Sequence, residues 1–205
     1  MRKERLESLA GWIAVVLIAL QLIIILLSWM LDASSSVPTV HSLLSEEGIR
    51  WFFGQYTSFL SNPVLIWLLL LSIAWGTYRE SGIGMVTRMI INGRKISYRQ
   101  RFSFRVSMVI CLFLVMVVIL LTAVPHAILL SSTGTLFPSS FSAAIIPIIA
   151  FIITVVSVCY GVMVGKIKTA GSLMHTLTAG LSETLPLWVL YILFMQVWES
   201  VLFMF

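Results

Sequence analysis

The chain has 205 residues, of which 60% are hydrophobic and only 10% charged. A soluble domain of this length needs far more polar surface, so the composition excludes an ordinary water-soluble globular protein. The net charge is +5, but the cations fall between apolar runs and in no folded basic domain or motif. They therefore point to no nucleic-acid role.

A bilayer core of about 30 Å needs roughly 20 apolar residues in helical form. Stretches 12–31, 63–78, 104–124, 141–165 and 185–205 meet that length, and the short second one can extend into 83–91. A backbone facing lipid must satisfy its own hydrogen bonds. The runs are continuous rather than alternating, so helices are expected and a closed barrel is not. The expected fold is all-α: a polytopic transmembrane helix bundle of about five spans, forming a single integral membrane domain over 1–205.

The chain opens with Arg2, Lys3 and Arg5. The first apolar run exceeds the roughly 7–15 residues of a signal-peptide core, so a retained anchor is expected even though small residues follow at 33–36. Gln21 lies in the middle of this run. Between 37 and 62, Ser45 can cap a helix whose first turn holds Glu46 and Glu47, where the dipole favours acids. Ile49, Phe52, Phe53, Tyr56, Phe59 and Leu60 then recur at helical spacing, with Glu47, Arg50, Gln55, Thr57 and Ser58 on the other face. This amphipathic helix fits the outer membrane interface or a packed position on the bundle, and its pattern serves both. Asn62-Pro63 opens the second span, with Pro at the tolerated first turn.

The second span closes at Arg79 and Glu80, where Glu80 can pair with a neighbouring Arg. A basic loop follows with Arg79, Arg88, Arg94, Lys95, Arg99, Arg101 and Arg105. Residues 131–140, SSTGTLFPSS, form an uncharged loop containing Gly, Pro and Ser. In the fourth span Ser157, Gly161 and Gly165 recur every four positions, a small-xxx-small stripe for close helix packing, either within the bundle or between copies. Pro147 invites a kink in the same span. Lys166 and Lys168 follow, then a mixed segment to Glu183 that reads as a short inner helix or loop. The fifth span carries Gln196 and Glu199. With Gln21, these are the candidate intramembrane polar residues, since polar and ionisable groups at bilayer depth are functional candidates by default.

Cations cluster before the first span, after the second and after the fourth. Arg50 alone lies between the first and second, and none lies in 126–140. By the positive-inside rule the N-terminus is inside and the C-terminus outside. The basic loop then faces the cytoplasmic leaflet, where anionic lipid is its expected partner.

Catalytic and metal motifs are not found. Cys111 and Cys159 sit within apolar runs without CxxC spacing and read as small hydrophobes. His41, His126 and His175 lie in separate segments without ligand spacing. No nucleophile elbow or Ser-x-x-Lys frames any serine. No enzyme activity, metal or cofactor is expected.

Two stretches carry a resemblance. One is SLLSEEGIRWFFGQYTSFLSNPVLIWLLLLSIAWGTYRESG, residues 42–82, ending in Glu80, Ser81 and Gly82. The other begins TGTLFPSSFSAAIIPIIAFIITVVSVCYGVMVGKIKT and continues in LPLWVLYILFMQVWESVLF, with Thr133, Gly134, Pro138, Pro147, Tyr160, Gly161, Gly165, Lys168, Pro186 and Gln196 at motif positions. In this order they resemble the p-aminobenzoyl-glutamate transporter (AbgT) family. The resemblance implies an ion-gradient-driven secondary transporter for p-aminobenzoyl-glutamate or for sulfonamide-like antimetabolites, in a bacterial inner membrane.

Compared with that family the chain reads as a shortened member. Its early part joins its late part near 92–101. The family's middle, with a re-entrant hairpin and a Ser-Asn-x-x-Ser-Asp-type motif, and its final hairpin region have no counterpart. The family's acidic substrate residues have no match either, and no pair of mid-span acids is present. Three readings follow: a transporter working as a homo-oligomer or with a partner subunit, a non-transporting structural or regulatory membrane subunit, and an inactive remnant. To keep Lys166 and Lys168 inside, any missing portion must contain an even number of crossings.

Overall fold

The computed structural model describes residues 2–34, 41–123 and 140–204. The loop read at 131–140 lies outside these except for Ser140, as do His126, Thr133, Gly134 and Pro138. The described residues form seven α-helices and no strand: α1 (Arg2–Ser34), α2 (Glu46–Leu60), α3 (Pro63–Ser81), α4 (Ile83–Ile91), α5 (Tyr98–Ala123), α6 (Ser140–Val164) and α7 (Ala170–Met204). Four of them, α1, α5, α6 and α7, are long and apolar enough to cross a membrane. The pair α2–α3, bent by 43°, makes up to five. The all-α membrane bundle expected from the sequence is therefore what forms.

The exposed surface explains why water is excluded as a solvent. Trp12, Val16, Leu22 and Leu26 on α1, and Val109, Leu112, Phe113 and Leu120 on α5, all lie exposed. Apolar residues around the full circumference of a helix need lipid or a protein core around them.

Local signals set the helix starts. Ser45 Oγ accepts the Gly48 N–H at 3.0 Å, capping α2 as its Ser-Glu-Glu sequence implies. Pro63 opens α3, and Asn62 Oδ1 accepts the Val64 N–H. Several boundaries differ from the sequence reading: α1 begins at Arg2 and α5 at Tyr98, so the basic loop is largely helical, with Arg88 on α4 and Arg99, Arg101 and Arg105 on α5. Two further differences bear on packing. The segment after Lys168 is neither a loop nor a separate short helix: α7 begins at Ala170, and Pro186 lies inside it. A proline deletes one backbone hydrogen bond, but in a long apolar helix the turns on either side keep theirs. The other difference is Gly165, which falls just beyond α6 rather than on it.

The helices cluster into two compact units. One comprises residues 67–183, and its core is Ile83, Val86, Val156 and Tyr160, with Ile96, Phe104 and Cys111 packed around it. The other comprises 1–66 and 184–205. Ile24, Leu43 and Val197 form its core, joined by Leu17, Trp51 and Phe203. Trp51 stacks on Phe203 with ring centroids 4.2 Å apart.

Candidate functional site

In the 67–183 unit the motif residues Ser81, Gly82, Gly161 and Gly165 converge on two helix ends. α3 stops at Ser81, and Gly82 takes a left-handed φ of 80°. That conformation costs an L-residue roughly 1–2 kcal/mol, whereas glycine adopts it freely. Ser81 is fully buried; its Oγ accepts the Ile83 N–H at 3.4 Å and so helps start α4. Across the turn, Lys166 Nζ donates to the Glu80 carbonyl at 3.4 Å. A Cβ on Gly82 would collide with that ammonium group.

The end of α6 repeats the device. Gly165 has φ 85°, and the Lys166 and Ile167 N–H groups both return to the Gly161 carbonyl, at 2.9 and 3.1 Å. Arg99 Nε donates to the Met163 carbonyl at 3.1 Å, and a Cβ on Gly165 would meet that guanidinium at 2.7 Å. Each helix thus ends in a left-handed glycine, and a cation from another segment satisfies a carbonyl at its negative end. Gly161 lies between the two ends. A Cβ there would approach Ile167 Cδ1 to 2.7 Å and Ser81 Cβ to 3.4 Å.

This arrangement redistributes the predicted small-residue stripe. Ser157 and Gly161 are buried within the unit, whereas Gly165 terminates the helix. Tyr160, 1% exposed, belongs to the core. The carboxylate of Glu80 pairs with no Arg among the described residues; Arg79 pairs instead with Glu183, which the extended α7 brings beside it.

The sequence reading missed a closer crossing in this unit. α3 and α7 meet at Gly76 and Gly180, and a Cβ on either would fall inside the other's backbone. The signal was available: Ser72-xxx-Gly76 and Thr176-xxx-Gly180 carry the spacing already recognised in the fourth span. Ser72 and Thr176 are both buried.

Gln21 and Gln196 meet in the other unit. Gln21 Nε2 donates to Ser200 Oγ at 2.8 Å, and Ser200 Oγ donates to the Gln196 carbonyl at 2.8 Å. Gln21 Oε1 is buried without a hydrogen-bond partner. Both glutamines line a cavity of about 220 Å³ whose other walls include Leu43, Ile49, Phe52 and Phe53. Beside it Ser28, fully buried, accepts the Leu43 N–H at 3.1 Å, fixing the chain that leads into α2. Ser28 and Ser200 escaped notice because a lone serine in an apolar run usually bonds its own helix backbone.

Glu199 does not join the glutamines. It lines an open pocket of about 410 Å³ with His41, Glu47, Trp51 and Phe203, where His41 Nδ1 lies 4.0 Å from Glu47. Pro186 and Gln196 belong to a different unit from the other motif residues. Among the described residues no three His, Cys, Asp or Glu side chains come together as metal ligands.

Four to five helices long and apolar enough to cross a membrane, with large apolar side chains exposed along them, define a multi-pass membrane protein. Residues 76–202 match the model of the AbgT transporter family, and the chain belongs to that family. No curated protein and no solved structure matches it. The family places the chain among transporter-related membrane proteins.

Proposed function

We propose that this chain moves p-aminobenzoyl-glutamate or sulfonamide-like antimetabolites across a bacterial inner membrane, as part of a homo-oligomer or with a partner subunit, and that it has no enzymatic role. The cavity between Gln21 and Gln196 is the observation that supports this reading. Two glutamines among its lining residues offer polar groups to an amide or aniline N–H, and Phe52 and Phe53 offer an aromatic wall. At about 220 Å³ the cavity is smaller than the roughly 300–1,000 Å³ of a site that encloses a drug-sized ligand. That shortfall favours a site completed by a second chain. The alternation of cations between the spans supports an orientation with the N-terminus inside and the C-terminus outside, in which the basic loop meets the anionic cytoplasmic leaflet. A C-terminal tag found in the cytoplasm would overturn this orientation.

A second reading, a non-transporting structural or regulatory subunit, draws support from the 67–183 unit. There the motif glycines shape helix ends. Reconstituted protein separates the readings. Flux of labelled p-aminobenzoyl-glutamate or a sulfonamide that depends on a proton or sodium gradient, and falls on the order of tenfold in Gln21→Leu and Gln196→Ala, is the expected result. Absence of flux together with a stable heteromeric complex would establish the second reading. Absence of both would leave an inactive protein.

A further inference from the structure

The elbow joining α4 to α5 is the most strongly charged surface of the chain. Arg88, Arg94, Lys95, Arg99, Arg101 and Arg105 lie within it, and the sequence contains no Asp or Glu between Glu80 and Glu183. All six cations are exposed. Arg99 is engaged by the Met163 carbonyl, and Glu183 is taken by Arg79. Among the described residues no ion pair reaches the other five.

The elbow is held rather than loose. Gly93, at φ 63°, turns the chain, and the Gly93 and Arg94 N–H groups return to the Ile90 and Met89 carbonyls at 3.1 and 2.9 Å. Ile83, Val86, Ile96 and Phe104 anchor both sides in the core. Large apolar residues stand among the cations: Ile91 is 78% exposed, Tyr98 85% and Phe102 57%. A surface built only for water has no use for them, and Ile91 offers nothing to a soluble polyanion. The headgroup zone of a bilayer offers phosphate for the cations and an apolar layer beneath for the rings and Ile91.

We propose that this elbow is a binding surface for anionic phospholipid, with Arg88, Arg94, Lys95 and Arg101 taking the headgroup phosphate and Ile91 and Tyr98 entering the acyl boundary. The proposal deepens the membrane placement above by naming the lipid class and its residues. It is independent of transport, since its test needs no flux. Each near-surface cation contributes about a fivefold preference for an anionic over a zwitterionic surface, and Arg can grip phosphate in a bidentate manner.

The test offers the purified full chain equal amounts of phosphatidylglycerol and phosphatidylcholine in mild detergent and counts retained lipids by native mass spectrometry. Phosphatidylglycerol is expected to be retained at least about tenfold more often, with the preference falling toward parity between about 50 mM and about 500 mM salt. The variant R88Q/R94Q/K95Q/R101Q should lose the preference. Because neutralising an inner loop can reorient a membrane protein, Ile91→Ser with Tyr98→Ser keeps every cation and is expected to lower phosphatidylglycerol retention about threefold. Equal retention of the two lipids overturns the proposal, as does an unchanged preference in R88Q/R94Q/K95Q/R101Q or an unchanged retention in the Ile91/Tyr98 variant. Displacement by free glycerol phosphate at millimolar concentration, or tighter binding of a short RNA, would assign the surface to a soluble polyanion and also overturn it.

Discussion

The two units hold their helices together by different means. In the 67–183 unit, backbones touch: Gly76 meets Gly180, and Gly161 admits Ser81 and Ile167. In the unit formed by 1–66 and 184–205, side chains make the links, between helices from Gln21 to Ser200 and from α1 to the turn before α2 through Ser28 and the Leu43 N–H. In lipid the hydrophobic effect gives helices no reason to prefer one another to acyl chains, so close packing and interhelical hydrogen bonds must supply the attraction. The first solution leaves no room at the crossing. The second keeps helices far enough apart for a cavity lined by polar groups. The closest backbone approaches therefore lie in one unit, where glycines shape packing, and the polar cavity lies in the other.

The sharpest way to break this contrast is to fill the glycine crossing. Gly180→Leu should remove more than about 3 kcal/mol, because backbone atoms rather than movable side chains occupy the space. Loss of folded protein in detergent is the expected readout, and a normally folded Gly180→Leu would show that the helices can separate freely. The left-handed glycines come next. Gly82→Ala and Gly165→Ala should each cost roughly 1–2 kcal/mol from positive φ, since the Lys166 and Arg99 ends that they would touch are flexible. Gly11→Ala and Gly54→Ala serve as the comparison. Nothing lies within 4 Å of a Cβ at either, so they should be neutral or stabilising by up to about 1 kcal/mol. Equal effects in the two pairs, in denaturant unfolding of the reconstituted protein, would refute the role given to backbone conformation.

The smallest effect belongs to the polar unit. Gln21→Leu removes the link to Ser200 but also an unpartnered buried oxygen. Interhelical hydrogen bonds in lipid average only about 0.6 kcal/mol, so stability should change by less than about 1 kcal/mol. A much larger loss would mean that the glutamine is structural glue rather than part of a binding cavity. Flux lost while stability is kept would sharpen the distinction between the two units.

Most helices were legible because a bilayer imposes length and apolarity on any segment that crosses it. The Ser45 cap and the Pro63 start were legible because capping is local. Gly165 was misread as a packing residue: its four-residue spacing from Gly161 is the same whether the helix continues or ends between them. Only the chain's path after Val164 separates the two cases. Gly76 and Gly180 went unrecognised although their motifs were visible, since a small-residue pair gains meaning only when another backbone approaches it. The pairing of Arg79 with Glu183, rather than of Glu80 with a neighbouring Arg, depended on α7 beginning at Ala170, and no local signal fixed that boundary.

By itself, the sequence determined that this is an all-helical membrane protein, where its apolar spans lie, and that cations gather in particular connections. Those properties follow from the free energy of moving each segment from water into lipid, which is summed residue by residue along the chain. The tertiary structure decided which glycines touch backbone, which cations seal which helix ends, and that Gln21 and Gln196, 175 positions apart by their numbers, line one cavity. Those outcomes depend on distances between segments remote in sequence, and hydropathy carries no information about which helix will be a neighbour.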